Sequence, residues 1–582
     1  MLGLVFLLPV LSIVASYLAN RNMLSLITVV LASTAFVVFI GRKRTDRDLL
    51  FLAVLWCVAL SLLMSETLVS RDIVGYDIHQ EFLMFVRVSA QGTWDPTIRH
   101  NYDSSLSVSI LPLIINLVSD LDGVAVFKFV IPIVFSIVPV LLYKIYRRLL
   151  EPEAAFFSVF FLIAYRAFYV EGIALARQEV GEVILLGILL LLLSPKRSRA
   201  GVIATIILTS GLVMSHYSLA FIYILVMGLS FCYFCVLKRT PALGNGLAIL
   251  AGIVLAFSWY TFVTQGTVVI SLTTFVTQVS QGIFTDFFNP AARPPTSLAL
   301  GSGFFHGINR VLLYFVQSIL VLGFLGLTRK RDKSVAEKTV YPMIAIGLAL
   351  IGSLFALPYF SGGLNLTRTY HIASLFAAPC FAYGISCLVS ILSKARLFLS
   401  PGIPRGITRS HYRGVMAAVL LFSYFLFNSG WVYTMSMDAP TSFILDSQRM
   451  MDSPVDSVKI SFFGYYTAPE DVAASRWLKY HVPSGGYVCA DRISEFGVLA
   501  SYAELLPRPG SPPTCNSYLD IHNTPYGHQV LQSEAYVYLS VLDWHFGLWP
   551  VVEGGEYRSV DLRSLGPIAQ NRIYCNGGAT IL

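Results

Sequence analysis

The segment Gly75-Tyr76-Asp77-Ile78-His79-Gln80-Glu81-Phe82 sets two carboxylates four residues apart. On a helix, Asp77 and Glu81 share one face, while Ile78, Phe82 and Phe85 form an apolar line at the i, i+4, i+7 spacing on another. Such a helix can lie in a membrane interface, its apolar side in the headgroup boundary and its carboxylates above the mouth of a bundle. Three more polar strings go with it: Ala176-Arg177-Gln178-Glu179-Val180-Gly181-Glu182, Ser215-His216-Tyr217, and Asn365-Leu366-Thr367-Arg368-Thr369-Tyr370-His371. A carboxylate can take the proton of an attacking hydroxyl, and guanidinium forks can receive a departing phosphate. Asp77 and then Glu81 are the candidate bases, with Asp72 in reserve. Arg177 and Arg368 are the candidate phosphate receptors, His216 and His371 add donors, and His79, Glu179 and Tyr370 complete the candidate set. Each string alone also fits a structural ion pair or an interface anchor; their gathering at one predicted membrane level favours a shared site.

His79, Glu81 and Asp77 offer part of a divalent-metal donor set. Asp77 and His79 do not share a helical face, so the sequence leaves metal open. No Walker-type loop, dinucleotide fingerprint or zinc-spaced cluster stands where it could work, so no nucleotide is expected. A phosphate-activated substrate that needs no nucleotide site is most naturally a lipid phosphate.

These residues need a membrane to hold them. Of 582 residues, 55% are hydrophobic and only 13% charged, and the mean hydropathy is +0.68. Soluble domains carry about 25% charged residues, so composition excludes a cytosolic enzyme, a disordered chain and a nucleic-acid binder. Apolar runs predict about 13 spans, near 2–19, 23–41, 49–66, 122–146, 153–171, 177–195, 200–214, 217–237, 243–264, 306–327, 339–357, 371–393 and 414–433. The first reads as a retained helix, not a signal peptide. Lys and Arg gather in alternate loops: Arg42, Lys43, Arg44 and Arg47; Lys144, Arg147 and Arg148; Lys196, Arg197 and Arg199; Lys238 and Arg239; Arg329 to Lys338; Lys394 to Arg413. The positive-inside bias then puts the N-terminus inside and the C-terminus outside. Residues 1–433 form the predicted transmembrane domain, with outer loop 67–121 carrying the acidic motif, and 434–582 an extracytoplasmic α/β domain. In that tail a helix is expected at Pro469–Tyr480 and strands at Tyr487–Ala490, Val537–Val541 and Arg572–Cys575. Cys489, Cys515 and Cys575 allow one disulfide with one cysteine left over. Trp544, His545 and Trp549 suit sugar stacking, but more readily a domain core.

On the strings Gly75-Tyr76-Asp77-Ile78-His79-Gln80-Glu81, Arg177-Gln178-Glu179, Leu364-Asn365-Leu366-Thr367-Arg368-Thr369-Tyr370-His371 and the closing Asn571-Arg572-Ile573-Tyr574-Cys575-Asn576-Gly577-Gly578, the chain resembles the GT-C superfamily of membrane glycosyltransferases, through a group of uncharacterised archaeal membrane proteins. The resemblance implies an all-α polytopic protein that transfers a sugar from a polyprenyl (dolichyl) phosphate to an acceptor hydroxyl, with inversion, for cell-surface glycan or glycoprotein assembly. It maps the catalytic base onto Asp77 first and Glu81 second. Two departures stand out: the acidic loop follows the third predicted span, and the two acids are not adjacent. The implied partners are the lipid-linked sugar donor, a glycan, protein or lipid acceptor, and membrane lipids, with no nucleic acid; the implied place is the plasma membrane, multi-pass, with the active face outside. Competing readings are a transporter or flippase of lipid-linked glycans and a non-catalytic assembly protein. The first lacks the internal repeats and paired broken helices common in transporters.

Overall fold

An apolar run in a bilayer must satisfy its backbone within itself, so helices are expected wherever the sequence is apolar for long enough. The computed structural model describes residues 47–97, 100–194, 198–236, 243–293, 303–394, 409–482, 487–505, 535–553, 556–561 and 572–582. The predicted spans 2–19 and 23–41, the basic residues Arg42, Lys43, Arg44, Lys196, Arg197, Lys238, Arg239, Arg396 and Arg405, and Cys515 lie outside these.

Every other predicted span is helical, from Arg47–Thr67 and Gly123–Tyr146 through Phe304–Arg329 and Val335–Ala356 to Arg409–Asn428. By length and composition seven described helices can cross a membrane, or eight with the pair Leu366–Ala377 and Pro379–Lys394, bent by 68° at Ala378. One of the seven, Thr267–Thr285, is not among the predicted spans. Three of the described helices carry a π-turn, at Val126–Val130, Ala167–Glu171 and Trp259–Val263; such turns widen a helix locally and re-aim its side chains. A continuous apolar core joins the helices, with Phe161 stacked on Phe381 at 5.4 Å and the Tyr146 hydroxyl donating to the Leu375 carbonyl at 2.8 Å. At one end of the bundle, Arg147 meets Asp48 at 2.7 Å and Lys330 meets Glu337 at 2.8 Å. This is the basic end.

The tail packs on the other end. Its helix Pro469–His481 starts on proline, as expected, and buries Val472, Ala474 and Leu478 against Tyr538 and Ile581. The strands are β1 Tyr487–Cys489, β2 Ala535–Leu539, β3 Leu548–Glu553, β4 Glu556–Asp561, β5 Tyr574–Cys575 and β6 Thr580–Ile581. They form a sheet of order β1-β2-β6-β5 and a β3-β4 hairpin. Among the described strands only the β1–β2 pairing is parallel. The expected strand to Val541 stops at Leu539, because Ser540 and Asp543 cap each other in a capping box and turn Val541–Phe546 into a helix. Of Arg572–Cys575 only the last two residues are strand. Cys489 is disulfide-bonded and Cys575 is free.

The loop after the first described helix departs most from expectation. The helix Ile78–Gln91 forms, but its apolar side is covered by protein. Its apolar line packs on Val108, Phe127, Ile131 and Ala176, and Leu83 and Met84 pack on Ala500 of the tail. Protein covers both sides because its polar residues find partners in the tail: Gln80 donates to the Phe496 carbonyl at 2.9 Å and His79 Nδ1 meets Ser501 Oγ at 2.6 Å. A second loop helix runs over Ile110–Ser119, after a 3-10 turn at Asn101–Ser104.

Candidate functional site

Asp77 stands at the N-cap of its helix, where a carboxylate normally accepts from the first-turn amides. Here it makes no cap bond. Its Oδ2 instead takes Arg368 Nη1 at 2.7 Å and lies 3.6 Å from Arg177 Nη2. Gly75 makes this approach possible: its φ is +115°, and a Cβ there would fall 2.6 Å from Ala174 Cβ. Only glycine accepts both the conformation and the contact.

Each partner is held from its own element. Asn365 caps the helix Leu366–Ala377 by accepting from Thr367 N and Arg368 N, which aims Arg368 at the loop. The Asn365-Leu366-Thr367 string thus serves as a helix cap. The π-turn Ala167–Glu171 brings Glu171 to 3.7 Å from Arg368 Nε. Arg177 opens the helix Ala176–Leu192; its Nη1 forms an ion pair with Glu81 Oε1 at 2.9 Å, its backbone N–H donates to Glu81 Oε2 at 3.3 Å, and its guanidinium lies 4.0 Å over the Tyr102 ring. Arg177 is therefore enclosed, with its side chain 5% exposed, and acts on Asp77 from behind rather than standing free for a ligand.

The two acids differ in state as well as place. Burial pushes the Asp77 carboxyl up, but Arg368 and Arg177 together outweigh it and hold the group below its ordinary value. Glu81 is fully buried, and burial pushes it up to about 7 despite the opposing charge of Arg177. Asp77 is an ionised, 27% exposed carboxylate; Glu81 is sealed in.

Two cavities meet here. One, of about 530 Å³, lies between bundle and tail and is lined by Asp77, Tyr102, Tyr217, Tyr466, Asp471 and Asp491 among others. The other, of about 190 Å³, is lined by Arg166, Glu171, Asn365, Arg368 and Phe443 among others. Tyr76 lines both. In the larger cavity burial raises Asp471 to about 7 and raises Asp491 also.

The structure thus brings together Asp77, Glu81, Arg177 and Arg368. Other candidates lie elsewhere. Asp72 gives its carbonyl to Lys128 Nζ at 2.7 Å and stands apart from the cluster. His79 lines the larger cavity but spends Nδ1 on Ser501 and faces Thr467 with Nε2 at 3.3 Å; burial lowers it to about 4, so it clasps loop to tail as a neutral ring. Among the described residues no three His, Cys, Asp or Glu side chains are grouped to hold a metal. His371 is buried against Glu182 at 3.1 Å, and Tyr370 accepts from Gln317 at 2.6 Å. His216 uses Nδ1 on the Leu219 amide at 3.1 Å. Glu179 is buried with neither oxygen hydrogen-bonded. Trp544 lies beneath Arg572 and Trp549 is core; neither lines the larger cavity, whose aromatic wall is Tyr76, Tyr102, Tyr217, Phe463, Tyr466 and Phe496.

Sequence reasoning passed over Arg166, Glu171 and Tyr102. For Arg166 a signal existed: it interrupts the apolar run Phe160-Phe161-Leu162-Ile163-Ala164-Tyr165 and Ala167-Phe168, and a charge within such a run is a site candidate by default. It makes no ion pair among the described residues and lies 5.1 Å over Phe443.

A family model described as "Predicted membrane protein (DUF2206)" matches residues 202–582. No curated protein matches the chain. Among solved structures, the archaeal oligosaccharyltransferase AglB from Archaeoglobus fulgidus, in complex with an inhibitory peptide and a dolichol-phosphate, aligns over 90% of this chain and 75% of its own at 12% identity and a TM-score of 0.53. The Archaeoglobus fulgidus oligosaccharyltransferase complexed with Zn and sulfate aligns over 89% and 74% at 12% identity and a TM-score of 0.47. ArnT from Cupriavidus metallidurans bound to undecaprenyl phosphate aligns over 92% and 99% at 14% identity and a TM-score of 0.42. These last two alignments are too loose to build on. The first shows a shared fold, in agreement with the GT-C resemblance. With its model covering well over half of the sequence, the chain belongs to the DUF2206 family of predicted membrane proteins.

Proposed function

We propose that the protein is a membrane glycosyltransferase that moves a sugar from a polyprenyl-phosphate donor, dolichyl phosphate included, to an acceptor hydroxyl. The observation that carries this reading is the place of Asp77. It lines the larger cavity while its ion-pair partner Arg368 lines the smaller one, so base and cation face two compartments from one contact. The acceptor enters the larger cavity, where a hydroxyl reaches Asp77. The donor phosphate enters the smaller one, beside Arg368 and Arg166.

Asp77 takes the acceptor proton as the oxygen attacks the anomeric carbon. The bond from that carbon to the phosphate oxygen breaks, its electron pair leaves with the lipid phosphate, and the anomeric centre inverts. The two arginines offset the charge that develops on the phosphate. The helix start beneath Asp77 and the charge of Arg368 keep the base ionised. Glu81 holds Arg177 in place behind it. The AglB structure, solved with a peptide and a dolichol-phosphate, supports a fold able to bring such partners together. The basic loops argue that the opposite, tail-bearing end is extracytoplasmic, so the reaction would serve cell-surface glycan or glycoprotein assembly at the plasma membrane.

The test is transfer of radiolabelled sugar from membrane polyprenyl phosphates by wild type and Asp77→Asn. Asparagine keeps the size and the hydrogen bonds but cannot take a proton. Loss of transfer in a variant that still folds and still binds the lipid supports the reading. Equal transfer by both proteins removes Asp77 as base.

A further inference from the structure

The helix Thr267–Thr285 is long and apolar enough to cross a membrane, yet its contacts keep it at one end of the bundle. Near its start, Ser271 Oγ accepts from Asn101 of the acidic loop at 3.1 Å, and Thr267 lines the larger cavity beside Asp77. Midway, Phe275 packs on Phe360 with ring centroids 5.6 Å apart and lies so close to Gly363 that a Cβ there would be 2.4 Å from its ring. Near its end, Gly282 abuts Pro358 and Tyr359. Residues 357–363 follow the helix Val335–Ala356, which begins at the basic end beside Lys330 and, at 22 residues, runs about 33 Å to the tail-bearing end. They also lead directly into Asn365 and Arg368 at the site. From Ser271 to Gly282 a helix advances about 16 Å. A crossing helix would spend that length on depth, yet both ends meet elements of the tail-bearing end.

Its surface fits such a position. Residues 267–285 hold no Asp, Glu, Lys or Arg, and Thr, Ser and Gln alternate with apolar residues. Ile270, Val276, Ile283 and Phe284 are exposed at 64%, 55%, 37% and 88%, and Phe288 just beyond at 90%. A surface that exposes large apolar side chains among polar but uncharged ones suits the boundary between headgroups and acyl chains, and without charge its attachment does not depend on anionic lipid.

We infer that Thr267–Thr285 is a surface-bound helix, seated in the headgroup–acyl boundary of the leaflet on the tail-bearing side, and that it does not cross. The parity of the chain follows. Counted as a crossing, it would put the Lys330–Lys338 cluster on the opposite side from the basic loops that precede it in the chain; lying flat, it keeps the basic loops together. Through its contacts with Asn101 and residues 357–363 the helix also sets the depth of the Asp77–Arg368 pair at headgroup level.

The test uses the full chain in liposomes, with Cys232, Cys235, Cys387 and Cys575 replaced by serine and single spin labels placed at 270, 276, 283 and 284. Labels at Leu225 and Leu229 of the helix Tyr217–Val236 provide the crossing control. A surface helix gives one shared shallow depth, varying only with the helical turn. A steady deepening of about 20 Å from 270 to 284 overturns the proposal. Independently, Thr267→Cys and Thr285→Cys should both react with a membrane-impermeant maleimide supplied from the tail side alone. Reaction at only one of them from that side overturns it as well.

Discussion

The helices Ile78–Gln91 and Thr267–Thr285 sit at the same end of the bundle, and both alternate apolar and polar residues, but the first buries nine of its 14 residues and the second three of its 19. Sequence periodicity reports that a helix has a face to cover; it does not report what covers it. The difference lies in the charges. Glu81, and Asp77 just ahead of the first helix, require cations, which only the ends of other helices supply as Arg177 and Arg368. His79 and Gln80 require fixed partners, which only the tail supplies. Each demand draws protein over the helix. The second helix makes no such demand, and lipid can cover its exposed apolar side chains. The proposed base therefore stands at the start of an element locked from both sides, while the helix inferred to meet the membrane carries no titratable side chain.

The largest expected effect tests the locked helix. Asp77→Asn should lower transfer by about 10²- to 10⁴-fold, the usual weight of a general base, without moving the donor's KM to a comparable extent. A second test concerns pH. The folded-state value of Glu81, about 7, lies above its ordinary 4.5, so the folded chain retains a proton that the unfolded chain releases. Stability should therefore fall as pH rises from about 4.5 to 7, by about 3 kcal/mol in all, and level off above. Glu81→Gln should match wild type near pH 5, exceed it near pH 8 by up to that amount, and lose the slope, as read from unfolding midpoints across that range. A slope that persists in the variant would assign the titration to another group. With Arg177 released to move, the variant should also transfer more slowly. The helix Thr267–Thr285, having nothing to titrate, should add nothing to this slope.

Much of the architecture is legible because hydrophobic length is a strong signal. The helix over 47–67 and the helix from 123 to 146 match their apolar runs almost to the residue, and Pro469 marks a helix start by the one residue that is well placed there. The residue types at the site are legible too, since Asp77, Glu81, Arg177 and Arg368 stand out from apolar surroundings. Their pairing is not. That Arg177 is sealed against Glu81 and Tyr102, while Arg368 faces a cavity, depends on where the bend at Ala378 and the π-turn at Ala167–Glu171 aim the chain; Pro379 signals the bend but not its direction, and the π-turn has no sequence signature. His79 shows the same gap from the other side. Its type suits a metal or a proton, and only the contacts with Ser501 and Thr467, some 400 positions away, reveal a clasp.

The smallest expected effect is the sharpest test of the contrast between the two helices, since it sets one phenylalanine against another. Phe82 is 6% exposed and packs on Phe127 and Phe85 with ring centroids 5.4 and 5.5 Å apart. Truncation to alanine leaves a hole that rigid neighbours cannot fill, and should cost about 3–5 kcal/mol. Phe284 has the same side chain, 88% exposed. Phe284→Ala opens no cavity within the protein and should change unfolding by no more than about 0.5 kcal/mol, while its helix loses part of its hold on lipid. Unfolding of both variants in the same bilayer-mimicking medium separates the cases. If Phe284→Ala proves as costly as Phe82→Ala, the second helix is covered by protein, a second copy of this chain or a partner, rather than by lipid. Near-equality with wild type leaves lipid as its cover, because lipid, unlike a packed core, flows into the space that a lost side chain vacates.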